Sequence, residues 1–263
     1  MPRIVALYRF PLKGFTPEPV QSLTILPDSR AAGDRVLNLR FADAPVADEA
    51  WCRKYNGVVL ANTPGLARLR TAYDHHARRL RIEQDGQVLV DEAVQGDGRQ
   101  RIVEALTGYV LGLDDNPLKG HPEHLPLKLV GDGVTPRYQD NEAGQVTLHS
   151  RETIASAAQA LGDPGLNDHR FRHNIVIEGV AAWEELSWLG KRLRIGDVEM
   201  DVVKPKTRCL ATHANPETGR RDLMVMQGLV KHFGQEQPTL GIGMLTNGAG
   251  GVVRIGDEIR LMA

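Results

Sequence analysis

The sequence is poor in cysteine, with only Cys52 and Cys209 in 263 residues, and only 5% of it is aromatic. Two thiols allow one disulfide at most, which excludes a disulfide framework, and a chain of this length builds a core without one. The same count excludes a four-cysteine zinc site or a four-thiolate iron–sulfur cluster made from this chain alone. A charge excess is also lacking. Thirty-two Lys and Arg stand against thirty-three Asp and Glu, a formal net charge of −1. That removes the global basic bias of a nucleic-acid binder and leaves room for a local basic pocket. No run approaches the roughly 18 apolar residues that span a bilayer. The apolar opening is broken by Arg9, Pro11 and Lys13 before a signal-peptide core can form. The expectation is a cytoplasmic protein that binds neither nucleic acid nor membrane.

What is present is 41% hydrophobic and 25% charged residues, enough length for one large domain or two ordinary ones. Short β-branched or Leu-rich runs at 4–8, 20–26 and 36–39 predict strands, punctuated by Pro11, Gly14, Pro17, Pro27 and Gly33-Asp34. Asp85-Gly86, between 80–83 and 87–90, predicts a hairpin. Residues 64–72 read as a helix, and so do 98–111, where Ile102, Val103, Leu106, Tyr109 and Val110 recur at helical spacing. The stretch 112–141, rich in Pro, Gly, Asp and Asn, predicts a linker, dividing the chain into 1–115 and 116–263. Beyond it come a strand at 146–149 and a helix capped by Ser150 or Thr153 and stopped by Gly162. Strands follow at 174–178, 193–197 and 198–203, with a closing hairpin over 252–261 turning on Gly256-Asp257. The expected fold class is mostly β with some α: an N-terminal β-barrel-like domain and a C-terminal β-barrel domain.

Chemistry concentrates in 204–219, where Cys209 has Lys206 and Arg208 beside it. Two approaching cations favour the thiolate, the form that attacks electrophiles and binds soft metals. The competing reading is a small apolar residue at a strand end. Residues 168–174 hold two Arg and two His ahead of a strand. Such a cluster binds oxyanions through guanidinium forks, or else forms a solvated loop paired with Asp168 or Glu178. Cys52 reads as a structural thiol. The glycine-rich 241–251 precedes a strand instead of opening a helix, so it reads as strand and β-turn, not a phosphate loop.

Several motifs occur in one order along almost the whole chain. They are Tyr8-Arg9-Phe10-Pro11-Leu12-Lys13, Gly33-Asp34-Arg35, the run 170–179 (RFRHNIVIEG), Trp183-Glu184-Glu185 with Trp188-Leu189-Gly190, Thr207-Arg208-Cys209 with 215–219 (NPETG), and Ile255-Gly256-Asp257. In these the chain resembles the MOSC family, the module named after the C-terminal domain of molybdenum-cofactor sulfurases, preceded by the N-terminal β-barrel of its reductase branch.

The resemblance implies a molybdenum cofactor (molybdopterin) with Cys209 as the single protein thiolate on the metal. It places Lys13, Arg35, Arg172 and Asn174 around the pterin phosphate, with Thr207 next to the metal ligand. A buried dianion needs several such donors. Three departures stand out. Gly14 replaces the usual serine, a hydroxyl that a backbone N–H or Thr16 would have to replace. His173 replaces a proline and is a candidate proton donor, against the plainer reading of a surface histidine. Asn215 replaces an aspartate. The implied activity is reduction of a small N-hydroxylated substrate, such as an amidoxime, hydroxylamine or base analogue. With no cysteines or spare length for a fused ferredoxin, the electron donor is expected to be separate, a ferredoxin or a flavin reductase. The alternatives are a sulfur carrier using a Cys209 persulfide and a non-catalytic cofactor-binding or storage module.

Overall fold

The computed structural model describes residues 1–262. In its first half the strands are β1 (Arg3–Arg9), β2 (Glu18–Val20), β3 (Ser22–Ile25), β4 (Asn38–Arg40), β5 (Leu69–Asp74), β6 (Arg79–Gln84) and β7 (Gln87–Ala93), followed by helix α1 (Gly96–Leu111). The second half carries β8 (Lys128–Val130), β9 (Val146–Ser150), α2 (Arg151–Leu161), β10 (Ile175–Glu178), β11 (Arg192–Ile195), β12 (Val198–Thr207), α3 (Val225–Phe233), β13 (Thr239–Thr246), β14 (Gly251–Arg254) and β15 (Ile259–Leu261). The chain is β-dominant with a few helices, as its sequence pattern requires.

Eight strands form the main sheet in the order β15-β11-β12-β13-β9-β10-β1-β2. Along β12, Val198, Met200 and Val202 turn inward while the residues between them turn outward, the period of two that lets a strand bury one face. Only β9 and β10 of this sheet pair in parallel, with α2 as the crossover between them. Ser150 caps α2 by accepting from Thr153 N at 3.1 Å, and Gly162 ends it at φ +67°.

The expected barrels are not closed. The free edge of β1 is shared: its C-terminal part pairs with β2, and its N-terminal end meets the last turn through the isolated bridge Arg3 to Glu258. Backbone bonds from Ile4 N to Asp257 O and from Ile259 N to Pro2 O, both 2.9 Å, complete that approach. No regular ladder can run round such a divided edge, so β15 and β2 remain edges. The first half likewise holds a three-stranded sheet, β5-β6-β7, and not a barrel. Its apolar face packs on α1 through Ile102, Val103, Leu106 and Val110, each worth about 1.5–3 kcal/mol when fully buried.

Four other expectations change. Residues 64–72 are a 3-10 turn (Pro64–Arg68) leading into β5, where Leu69, Thr71 and Tyr73 alternate inward. The expected strand at 20–26 is two short ones, β2 and β3, separated at Gln21. The 252–261 hairpin does not form, because β14 pairs with β3 while β15 pairs with β11. The 112–141 stretch is packed structure: it supplies β8 to β4 and buries Leu118, Leu127, Leu129 and Tyr138. Pairing therefore crosses residue 115 at β1–β10, β3–β14 and β4–β8.

Candidate functional site

Cys209 stands just beyond the end of β12, at the entry to a 3-10 turn (Leu210–His213), where it is half-buried. Arg208 N donates to Pro238 O at 2.7 Å and holds this corner against the neighbouring loop. The thiol opens on a cleft with about 760 Å³ of atom-free space, its open mouth included. Of the side chains lining it, seven are Lys or Arg and one, Asp140, is acidic.

Two of those cations are held in unusual backbone. Arg35 and Arg172 have φ of +54° and +58°, a region that non-glycine residues enter only when surrounding structure compels them. They share one neighbour: their guanidinium carbons lie 4.8 and 4.4 Å from the centroid of the Phe10 ring. Arg35 also pairs with Asp34, and Arg172 donates to Phe15 O. Both guanidiniums are thus fixed before any ligand arrives.

Burial, with crowding of like charge behind it, lowers the pKa values of these cations. Burial, and then Arg35, pushes Arg172 down to about 10. Burial, and then Arg208, pushes Lys206 down to about 8. Burial also lowers Lys13, whose Nζ reaches only carbonyls, Cys52 O at 3.2 Å and Gln139 O at 3.5 Å. The dense surroundings of Asp140 would raise its pKa, although its side chain is still accessible at the mouth. Lys13, Arg35, Arg172 and Lys54 outweigh that and hold it down to about 2. Burial likewise works against the charge of Lys54, but attraction to Cys209 prevails and raises its pKa. A cation thus faces the thiol.

Behind Arg208 runs a chain of polar side chains. Arg208 Nη1 donates to His173 Nε2 at 2.7 Å, His173 Nδ1 lies 2.9 Å from His149 Nδ1, and His149 Nε2 lies 3.5 Å from Asp168 Oδ2. Guanidinium only donates, so Nε2 of His173 is the acceptor and its proton sits on Nδ1. Burial, and then Arg208, lowers His173 well below the ordinary histidine value. Gly241 lies against this ring: with φ +75°, any Cβ there would strike His173 Cε1 and Leu148 O.

The expected residues fall into two groups. Lys13, Arg35, Arg172, His173 and Cys209 line the cleft together, while Asn174 and Thr207 do not. Asn174 Oδ1 accepts from Thr147 N at 3.3 Å and Thr147 Oγ1 at 3.1 Å, and its Nδ2 donates to Tyr8 O at 3.2 Å and Asp34 Oδ1 at 3.4 Å. It ties β1 and β9 to the Arg35 turn. Thr207 is exposed, its hydroxyl 3.4 Å from Gln237 Oε1. Thr16, the suggested replacement for a serine hydroxyl, is engaged with Thr71 at 3.1 Å. His173 is no surface histidine, and neither of its nitrogens is free to donate into the cleft. Lys54 was the residue missed, and its only signal was a place two residues from Cys52. That second thiol is buried and free, as a structural cysteine should be.

The fold is β-dominant, and it brings one thiol into a cleft lined by cations. Residues 135–260 match the MOSC domain. It is similar to mitochondrial amidoxime reducing component 2 of Rattus norvegicus, 34% identical over 102 residues, which are 35% of this chain and 29% of that one. To mitochondrial amidoxime-reducing component 1 of Mus musculus it is 48% identical over 52 residues, 20% of this chain and 15% of that one. The aligned stretches therefore span less than a third of either relative. The solved structure of the YuaD protein from Bacillus subtilis overlaps 98% of this chain and 94% of its own at 12% identity and a TM-score of 0.45. No helix among the described residues is long and apolar enough to cross a membrane.

Proposed function

We propose that the cleft holds a molybdenum cofactor and that the chain reduces small N-hydroxylated substrates there, in the cytoplasm, with electrons from a separate ferredoxin or flavin reductase. The observation that carries this reading is the meeting of one accessible thiol, Cys209, with a wall of preset cations around it. The residues fit the group in their chemistry. A pterin phosphate needs donors that its own charge would stabilise, and Lys13 and Arg172 both have pKa values lowered by burial, which an anion would relieve. Arg208 Nε is buried without a partner, one more donor left over by the protein itself. A soft thiolate suits a high-valent metal that also carries dithiolene sulfurs.

When bound, the cofactor supplies a metal centre able to take up the oxygen of an N–O bond and to be reduced again by the external donor. The chain does the rest. Cys209 would ligate the metal, with Lys54 facing its sulfur. Lys13, Arg35 and Arg172 hold the phosphate, with Asn174 and Asp34 setting the Arg35 turn. Thr207 acts through the backbone corner that presents Cys209. His173 orients Arg208, and the proton-donor role first considered for it passes to Lys206 Nζ, which near pH 8 can both hold and release a proton.

The test is anaerobic. Reduced protein mixed with a hydroxylamine should be reoxidised and should release the amine, and Cys209→Ala should abolish both. Retained cofactor without turnover would support the storage reading, and a persulfide on Cys209 would support sulfur transfer.

A further inference from the structure

Away from the cleft, the segment that composition marks as a linker carries a compact group of donors. We propose that His121, Glu123 and His124 form a surface site for a divalent cation of the zinc class, with Asp43 as an additional oxygen ligand. One ligand atom from each of the three lies within 4.8 Å of the others. A tetrahedral ion with bonds of about 2.1 Å spaces its ligands about 3.4 Å apart, so small side-chain rotations close the set. None of these residues lines the Cys209 cleft.

The geometry of His124 favours a cation. Its Nδ1 lies 3.2 Å from Pro117 O, and a carbonyl only accepts, so the proton sits on Nδ1. Nε2 is left to face a carboxylate: Asp43 Oδ2 is 3.9 Å away. An imidazole nitrogen and a carboxylate so placed hold a cation between them, either a proton or a metal ion. The backbone carbonyl on the far nitrogen is the support that orients ligating histidines elsewhere. The ring is also held in place, stacked on Phe41 at 3.9 Å and against His121 at 4.9 Å. His121 brings its own carboxylate, with Nδ1 2.8 Å from Glu123 Oε1.

Pro122 opens the 3-10 turn (Pro122–His124) that sets these side chains on one side, and Ala42 N donates to His124 O at 2.9 Å. An ion here would join the 117–124 segment to the loop after β4. Two imidazoles with one or two carboxylates suit zinc, cobalt or nickel, whereas calcium and magnesium prefer all-oxygen shells.

The experiment uses the full chain, stripped with chelator, freed of it, and titrated calorimetrically with Zn²⁺, with Co²⁺ absorption as the report on geometry. One ion per chain should bind at this site, and His121→Ala and His124→Ala should each weaken it by about tenfold or more. Asp43→Asn should weaken it less, and Cys209→Ser should leave it intact. Glu123→Gln, which keeps the side chain's shape, gives the same reading if a histidine variant folds poorly. No saturable binding up to millimolar Zn²⁺ would overturn the proposal. So would histidine variants that bind as the wild type does, or binding lost only with Cys209.

Discussion

Arg208 donates to His173 Nε2 at 2.7 Å, and that one bond fixes where the protons lie on two buried histidines. His173 must carry its proton on Nδ1, so His149 accepts at Nδ1 and directs Nε2–H toward Asp168. Nitrogen-resolved NMR should show neutral His173 as the Nδ1–H tautomer at pH 7, and an Nε2–H signal would contradict the arrangement. His149→Ala leaves that Nδ1–H buried without an acceptor. It should destabilise the fold by about 1–3 kcal/mol in urea unfolding and loosen Arg208.

The corner of β9 and α2 rests on a carboxylate. Glu185 is fully buried and accepts from Ser150 N at 3.3 Å, Ser150 Oγ at 3.2 Å and Thr153 Oγ1 at 2.9 Å. Ser150→Ala removes both the helix cap and one of these donors, and should cost about 2 kcal/mol. Gln159→Ala, exposed on the same helix, should stay within about 0.5 kcal/mol. Equal losses in chemical denaturation would contradict the network.

These two sites show how much of the molecule was legible beforehand. Ser150 as a cap, Gly162 as a stop, the Asp85-Gly86 hairpin and α1 follow from local chemistry, and each is present. The errors lie where local pattern and tertiary pairing disagree. Residues 64–68 look helical, but Leu69, Thr71 and Tyr73 have the period of a strand that finds its partner in β6. Gly256-Asp257 does turn the chain, yet β14 and β15 leave it for different partners. No local signal marks the 115-crossing pairs. At the site, Cys209, Lys13, Arg35 and Arg172 were legible from motif order, whereas Lys54 was not, because only folding carries it to Cys209.

Lys206 supplies a pH test. Its folded pKa of about 8 lies below the ordinary lysine value of 10.5, so the unfolded chain binds the proton more tightly. The penalty on the folded state is complete below pH 8 and disappears as pH rises toward 10.5. Lys206→Met should therefore stabilise the cofactor-free chain at pH 7, on the order of 1 kcal/mol once solvent screening is allowed for. The gap in Tm should close by about pH 10.5. Inorganic phosphate binding by the wild type should weaken as pH rises through 8, and a flat profile would contradict this charge state.

Arg35 and Arg172 share Phe10, so their losses should not add. Each single change to Ala should lower pterin retention through gel filtration by about tenfold, the scale of a charge-assisted hydrogen bond. The double variant should lose less than the product of the two. Independent, multiplicative losses would mean that the two guanidiniums do not act as one unit.

The central claim is that Cys209 binds molybdenum in this cleft. Protein purified anaerobically from a molybdate-supplied host should contain molybdenum and pterin in near-equal amounts, approaching one per chain. Cys209→Ala should lose the metal, while Cys52→Ala, altering the buried thiol outside the cleft, should keep it. Wild-type protein free of molybdenum from a host competent to make the cofactor, or a Cys209→Ala protein with undiminished metal, would contradict the account.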